Sequence, residues 1–377
     1  MQQNSYTLQI FICLLFISFF VSCNSESIDS EKLDYNSLPL LELTTELEIT
    51  DSDDFIPANL NGFFVTNDGS LIITQRSEPS IHQFTPEGDY IEKVARDGQG
   101  PGELTNWFQP SFDGTTLVAS NNPGTAKTLF EQNADGIFEY TRTINVRSPG
   151  SYSGIRENGE TFTFYTSENL SMQRLEAPDE FTQTTIHIVE ENEGTISVTD
   201  SVQTLQTHSP FIEMLDGGGI RIQVLPFRFS DSFVPMPNQQ MLIARPDSQM
   251  IQILNPDFKI EHEVRFNVLE REVTDEDFAF HIGDQSSEDQ QKMRELFREN
   301  KPVFMDVIPD DSNRFWLWTD DTEAGNEYVA VDYEGEPLGR ILLPVGQELQ
   351  MVKGNNLYVL NEPEDDAPSA IVYELNI

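Results

Sequence analysis

The sequence predicts an all-β protein, a six-bladed β-propeller, on three observations. Short runs of Val, Ile, Leu, Phe and Tyr alternate with Gly, Asn and Asp turns, while helical periodicity is confined to one stretch. A tight turn followed by an apolar strand recurs six times: Asn67-Asp68-Gly69, Asp113-Gly114, Asn158-Gly159, Asn238-Gln239, Ser312-Asn313 and Gly354-Asn355, the first three glycines being 45 residues apart. A second turn follows in five of these units, at Gly88, Gly136, Gly194, Asp257 and Gly335. Two tight turns join four strands, and four strands in about 40 to 50 residues make one propeller blade.

The elements follow in chain order. The first 22 residues contain no Asp, Glu, Lys or Arg, and Ile10 to Val21 form an apolar run that ends at Ser22-Cys23. A run of twelve is too short to span a bilayer, which takes about 20 residues. It looks like a lipoprotein signal peptide over 1–22, with Cys23 as the acylated residue. Cys13 then leaves with the signal, so the mature chain has no thiol for a disulfide, a thiolate metal site or a nucleophile. Residues 23–37 are polar and read as a flexible tether. Glu26, Asp29 and Glu31 there resemble the acidic export tag of Bacteroidetes surface lipoproteins. The expected location is the outer membrane, on its periplasmic or its outer side.

The propeller is expected over 38–377. Leu41, Leu43, Leu47 and Ile49 alternate with polar residues, which predicts a strand ahead of the first blade. The last unit has only three strands, so this N-terminal strand should complete it and close the ring. In blade one the strands are expected at 62–66, 70–74, 81–85 and 89–94. Longer intervals later in the chain point to two insertions. Residues 203–230 predict an extra hairpin. Residues 273–301 predict helix, with Thr274 ahead of Asp275-Glu276-Asp277 and with Ser287 opening a run in which Met293, Leu296 and Phe297 share a face. That insertion suits a lid, either a structural cover or a gate.

The stretch Ala95-Arg96-Asp97-Gly98-Gln99-Gly100-Pro101-Gly102-Glu103-Leu104 resembles the G-x-G-x-G-P-G-E-F motif that follows the first blade in six-bladed propeller lipoproteins of Bacteroidetes, which are similar to NHL and TolB-like propellers. Ala95 and Arg96 replace that motif's leading glycine, and Leu104 its Phe. The resemblance implies the fold and brings no established reaction or ligand. Here the loop should carry the chain from an outer strand to the next inner one, with Glu103 bonding backbone amides.

Because tight turns join strands one to two and three to four, the longer links collect on the opposite face. That face should carry Arg76, Asn121, Arg245, Asp247, Asp320, Asp321 and Glu362, with Arg96, Gln99, Trp107 and Gln109 between the first two blades. Arg76, Arg96 and Arg245, with Trp107, Gln99, Gln109 and Asn121, suggest a site for an anionic or sugar-like ligand. The alternative is that the arginines satisfy carboxylates of their own blades. Asp247, Asp320, Asp321 and Glu362 are candidate calcium ligands, although no cofactor is required by the fold. The histidines form no metal-binding pair, and no nucleophile motif is present.

Composition sets the outer bounds. With 64 Asp plus Glu against 22 Lys plus Arg, the net charge is −42, which excludes ordinary nucleic-acid binding. A non-catalytic module is expected, monomeric, held to the membrane by its N-terminal lipid and binding an envelope protein, peptide or glycan. The competing reading is a calcium-dependent hydrolase of the lactonase or strictosidine-synthase-like propeller type.

Overall fold

In the computed structural model, the residues described are 32–376 apart from 106–107, 122–125, 146–160, 168–180, 193–194, 209–210, 215–218, 224–225, 237–239 and 284. The propeller unit runs from Asp34, four residues ahead of the expected boundary, to Ile377. The shift has a cause. Tyr35 is buried, and Arg340 holds the chain behind it, accepting from Leu41 N–H and donating to Pro39. Cys23, the apolar run 10–21 and most of the expected tether fall outside the described residues. Among the described residues no helix is long and apolar enough to cross a membrane.

A strand, β1 (Glu42–Ile49), precedes the blades. Blade one comprises β2 (Leu60–Val65), β3 (Leu71–Gln75), β4 (Ser80–Phe84) and β5 (Tyr90–Ala95), each within two residues of expectation. Blade two comprises β6 (Gln109–Phe112), β7 (Thr116–Asn121), β8 (Ala126–Gln132) and β9 (Phe138–Asn145). In both, strands pair in sequence order, antiparallel, through turns in which Gly69, Gly88, Gly114 and Gly136 have positive φ. At Gly88 the need is double: φ is +89°, and a Cβ would come within 2.9 Å of Leu47 on β1.

The third unit departs from the pattern. It forms a three-stranded sheet, β10 (Thr161–Ser167), β11 (Phe181–Asn192) and β12 (Thr195–His208). Thus five four-stranded blades are present among the described residues, where six were expected. The reason lies in the Thr-, Ser- and Gln-rich composition of β11 and β12. Their polar alternation lets them run on as a hairpin of 12 and 14 residues, about twice the usual strand. Among the described residues, Ile186 and Leu205 pack with Phe233, Met241, Ile243 and Leu254 of the next blade. The expected extra hairpin is present as β13 (Phe211–Met214) and β14 (Ile220–Gln223).

Blade four is β15 (Ser232–Pro235), β16 (Met241–Arg245), β17 (Met250–Leu254) and β18 (Ile260–Arg265). Two short helices follow, α1 (Asp275–Ile282) and α2 (Ser287–Arg294). Thr274 and Asp277 form a reciprocal capping box on α1, and Ser286, one residue before the expected cap, accepts from Asp289 N–H on α2. Blade five is β19 (Asp306–Pro309), β20 (Arg314–Thr322), β21 (Gly325–Asp332) and β22 (Pro337–Leu343).

The last blade is β23 (Gln347–Lys353), β24 (Asn356–Asn361) and β25 (Ser369–Asn376), and β1 is its fourth strand. The register runs from Glu42 opposite Asn376 to Ile49 opposite Ala370. This N-terminal closure removes the edge that β25 would expose. The blades then adhere through apolar layers. Leu47 and Ile49 join Phe63, Ile73, Phe84, Tyr358 and Val372 between the last blade and blade one. Ile72, Ile81, Leu117, Phe130 and Phe138 fill the next interface. Each fully buried side chain of this size contributes about 1.5 to 3 kcal/mol relative to exposure.

Candidate functional site

The first strands of the blades lie against one another around the axis: β2 touches β6 and β23, and β19 touches β23. Each begins on the face where the second strand ends, as the register of Leu60 with Gln75, Asp306 with Trp318 and Gln347 with Asn361 requires. The long-loop face is therefore where the first strands start. Of the expected residues, Arg76 and Glu362 fall there, each acting electrostatically on Glu348 of β23 at the axial mouth, and Asp321 acts on Tyr328 of β21.

Three residues at that mouth were not singled out from sequence: Ser232, Asp306 and Glu348, each at the start of a first strand. Asp306 accepts from Ser232 Oγ at 3.2 Å and from Val307 N–H at 2.8 Å. Asp306 is exposed, yet desolvation by the protein crowded about it raises its carboxyl above the usual range, against those two hydrogen bonds. Glu348 is raised as well, by burial first and then by the Asp306 and Glu362 carboxylates, with Gln350 and the Arg76 guanidinium acting the other way. Asp321 is raised by burial and by Asp320. All three acids bear on one phenol, because Glu348, Asp306 and Asp321 add to the burial that raises Tyr328. A strand-leading acid within an apolar run, as in Met305-Asp306-Val307-Ile308, is the signal that could have located this mouth.

Arg76 meets the mouth without pairing in it. Its backbone N–H donates to Asn59 at 2.9 Å, while its Nε is buried with no hydrogen-bond partner among the described residues. Glu362 is committed across the ring seam, accepting from Leu60 N–H at the start of β2.

The remaining residues lie elsewhere. Arg245 is fully engaged by Asp231, by Gln252 Oε1 at 3.1 Å and by the Thr204 carbonyl at 3.2 Å. Burial raises Asp231 even so. Arg96 donates through Nε and Nη2 to Glu103 Oε1 at 3.2 and 3.1 Å, and Gly100 N–H donates to Glu103 Oε2 at 2.8 Å. The Gly100 amide, followed by Arg96, holds Glu103 below the usual carboxylate range. A Cβ on Gly98 would lie 2.0 Å from Glu103 Oε2, so this loop closes on its own glutamate as expected. Gln99 is exposed on the loop. Gln109 is exposed at the start of β6, and Asn121 ends β7 opposite Ala126. Trp107 lies outside the described residues.

Two candidate calcium ligands hold down the helical insertion instead. Asp247 pairs with Arg298. Asp320 receives Lys301 Nζ on both oxygens at 2.9 Å and Arg271 Nη1 at 3.3 Å. Among the described residues, no group of three or more His, Cys, Asp or Glu side chains is placed to hold a metal ion. The mouth gathers acids that can receive positive charge, while most of the arginines expected to receive an anion are already occupied.

No family model matches the chain, and no curated protein matches it. Solved structures do. A protein from Bacteroides fragilis assigned as exported superposes with a TM-score of 0.53 at 12% identity, covering 92% of this chain and 98% of that one. A member of the DUF4221 family from Bacteroides vulgatus gives 0.52 at 12% identity, with 90% and 99% covered. Virginiamycin B lyase from Staphylococcus aureus gives 0.42 at 11% identity, with 89% and 100% covered. The first two establish the likeness in fold.

Proposed function

We propose that this chain is an exported, lipid-anchored propeller that binds a partner without catalysis, and that the axial mouth of its long-loop face receives a basic peptide or a basic segment of an envelope protein. The observation that carries the reading is that Asp306, Glu348 and Asp321 all act electrostatically on Tyr328, while none of these acids has an ion-pair partner among the described residues. Desolvation raises all three, with carboxylate neighbours adding to it at Glu348 and Asp321, and an incoming ammonium or guanidinium relieves that cost. A glycan with amino groups would use the same acids; an anionic ligand would face their repulsion.

Anchoring belongs to the same reading. Cys23 carries the lipid, the signal peptide 1–22 is removed, and the propeller stands as a monomer at the outer membrane. The GQGPGE loop and the closing strand support kinship with NHL and TolB-like propellers. Mass spectrometry of the mature N-terminus checks the anchor: it should begin at an acylated Cys23, and an unmodified terminus elsewhere refutes it.

Calorimetric titration with a lysine pentapeptide tests the site. Binding should weaken about tenfold or more in an Asp306→Asn/Glu348→Gln protein and fall with added salt. Equal binding by the wild type and the double variant refutes the assignment.

A further inference from the structure

Charged side chains fasten the helical insertion beside its apolar contacts with Phe227. Its own small core is Ile282 and Met293 with Phe278, Leu296 and Phe297. Arg298 links it to Asp247 and Arg228 reaches the carbonyl of Leu296 at 2.8 Å, while Arg271, just ahead of the insertion, holds Asp320 and the carbonyls of Thr319 at 2.6 Å and Pro302 at 3.1 Å. At the centre Lys301 joins Asp277 of α1 at 2.6 Å to Asp320 at the end of β20. These three side chains are 8%, 9% and 15% exposed.

His281 sits beside this junction. Its ring meets Phe227 edge-on at 5.1 Å and Phe280 at 4.9 Å, and its Nε2 is buried with no hydrogen-bond partner among the described residues. Lys301 Nζ already stands 5.3 Å from the centre of the same Phe227 ring. Such a wedge accommodates a neutral imidazole. A protonated one would bring an unbonded N–H and a second cation against Lys301.

We infer that the insertion is a latch on blades four and five that mild acid opens through His281. Among the described residues, the charged groups around the ring are Asp277 on its own helix, Lys301 beyond α2, Asp320 at the end of β20, and Arg228 next to Phe227. Burial lowers the affinity of His281 for a proton and Lys301 lowers it further, against the attraction of Asp277 and Asp320. The closed state therefore excludes the proton that an open, hydrated His281 accepts below its ordinary value of about 6.5. Opening uncovers Asp247 and Asp320 on the long-loop face. This inference does not depend on what binds at the axial mouth.

Hydrogen exchange of the full chain at about pH 7.5 and about pH 5.5, corrected for intrinsic rates, provides the test. One unit below 6.5 the closed insertion should lose protection through this one group, by at most about tenfold. Amides of α1 and α2 should show that loss while β20 and β21 keep theirs. A His281→Gln variant should remove the pH dependence, and His281→Phe, apolar like its surroundings, repeats the test should the glutamine loosen the helices. Unchanged protection in the wild type, or the same loss in both variants, overturns the inference.

Discussion

Asp310 takes donors from four directions: the N–H groups of Ser312 and Arg314 at 2.8 Å, Arg314 Nε at 2.6 Å and Trp316 Nε1 at 3.2 Å. Its side chain is wholly buried. Replacing it by Ala strands a guanidinium and an indole N–H, and should cost about 3 to 5 kcal/mol in urea unfolding. Its neighbour Asp311 instead accepts from Gly354 N–H at 2.7 Å. In sequence the two are an acidic pair with the look of calcium ligands, and nothing in that pair says which one is inside. His82 is a second case. Burial, aided by Lys93, pushes its imidazole down to about 4. A depressed histidine contributes stability that is complete above about pH 6.5 and is lost as pH falls toward 4, about 3 kcal/mol in all. Stability measured across that range should fall in the wild type and flatten in His82→Gln.

Among the elements, β1 was the most legible. Its alternation and the one-strand deficit of the last unit required each other, and the register of Glu42 to Ile49 with β25 meets both. A chain beginning at residue 50 should therefore lose cooperative unfolding and associate through the bare edge of β25, which sedimentation and urea melts would reveal. The helices were legible from Thr274 and Ser287, although α2 ends at Arg294, short of Leu296 and Phe297; their ion pairs were not legible. Lys301 reaches Asp320 across 19 residues and Arg298 reaches Asp247 across 51, distances that only the tertiary fold closes. The third unit was misjudged because a turn marks where strands meet and is silent on how far they run. Asn192 pairs with Thr195 at the end of the hairpin, while Thr and Gln alternation carried β11 and β12 well beyond blade length.

The whole molecule carries −42 with 22 cations, and the structure shows how several of those cations are used. Arg245, Arg271, Arg298, Lys301, Arg314 and Arg340 each bind a buried or half-buried carboxylate. They stitch blades and insertion together, and the axial mouth is left acidic. Stability should accordingly rise between low salt and about 0.5 M NaCl as net repulsion is screened, seen as a higher Tm. The central claim, that the long-loop face is the one that meets a ligand, is tested most directly by photocrosslinking in the cell envelope. A benzophenone residue at exposed Gln109 marks that face, and one at exposed Glu334 marks the tight-turn face. Adducts with a basic partner from position 109 and none from 334 are the predicted result. Adducts from 334 alone would contradict it.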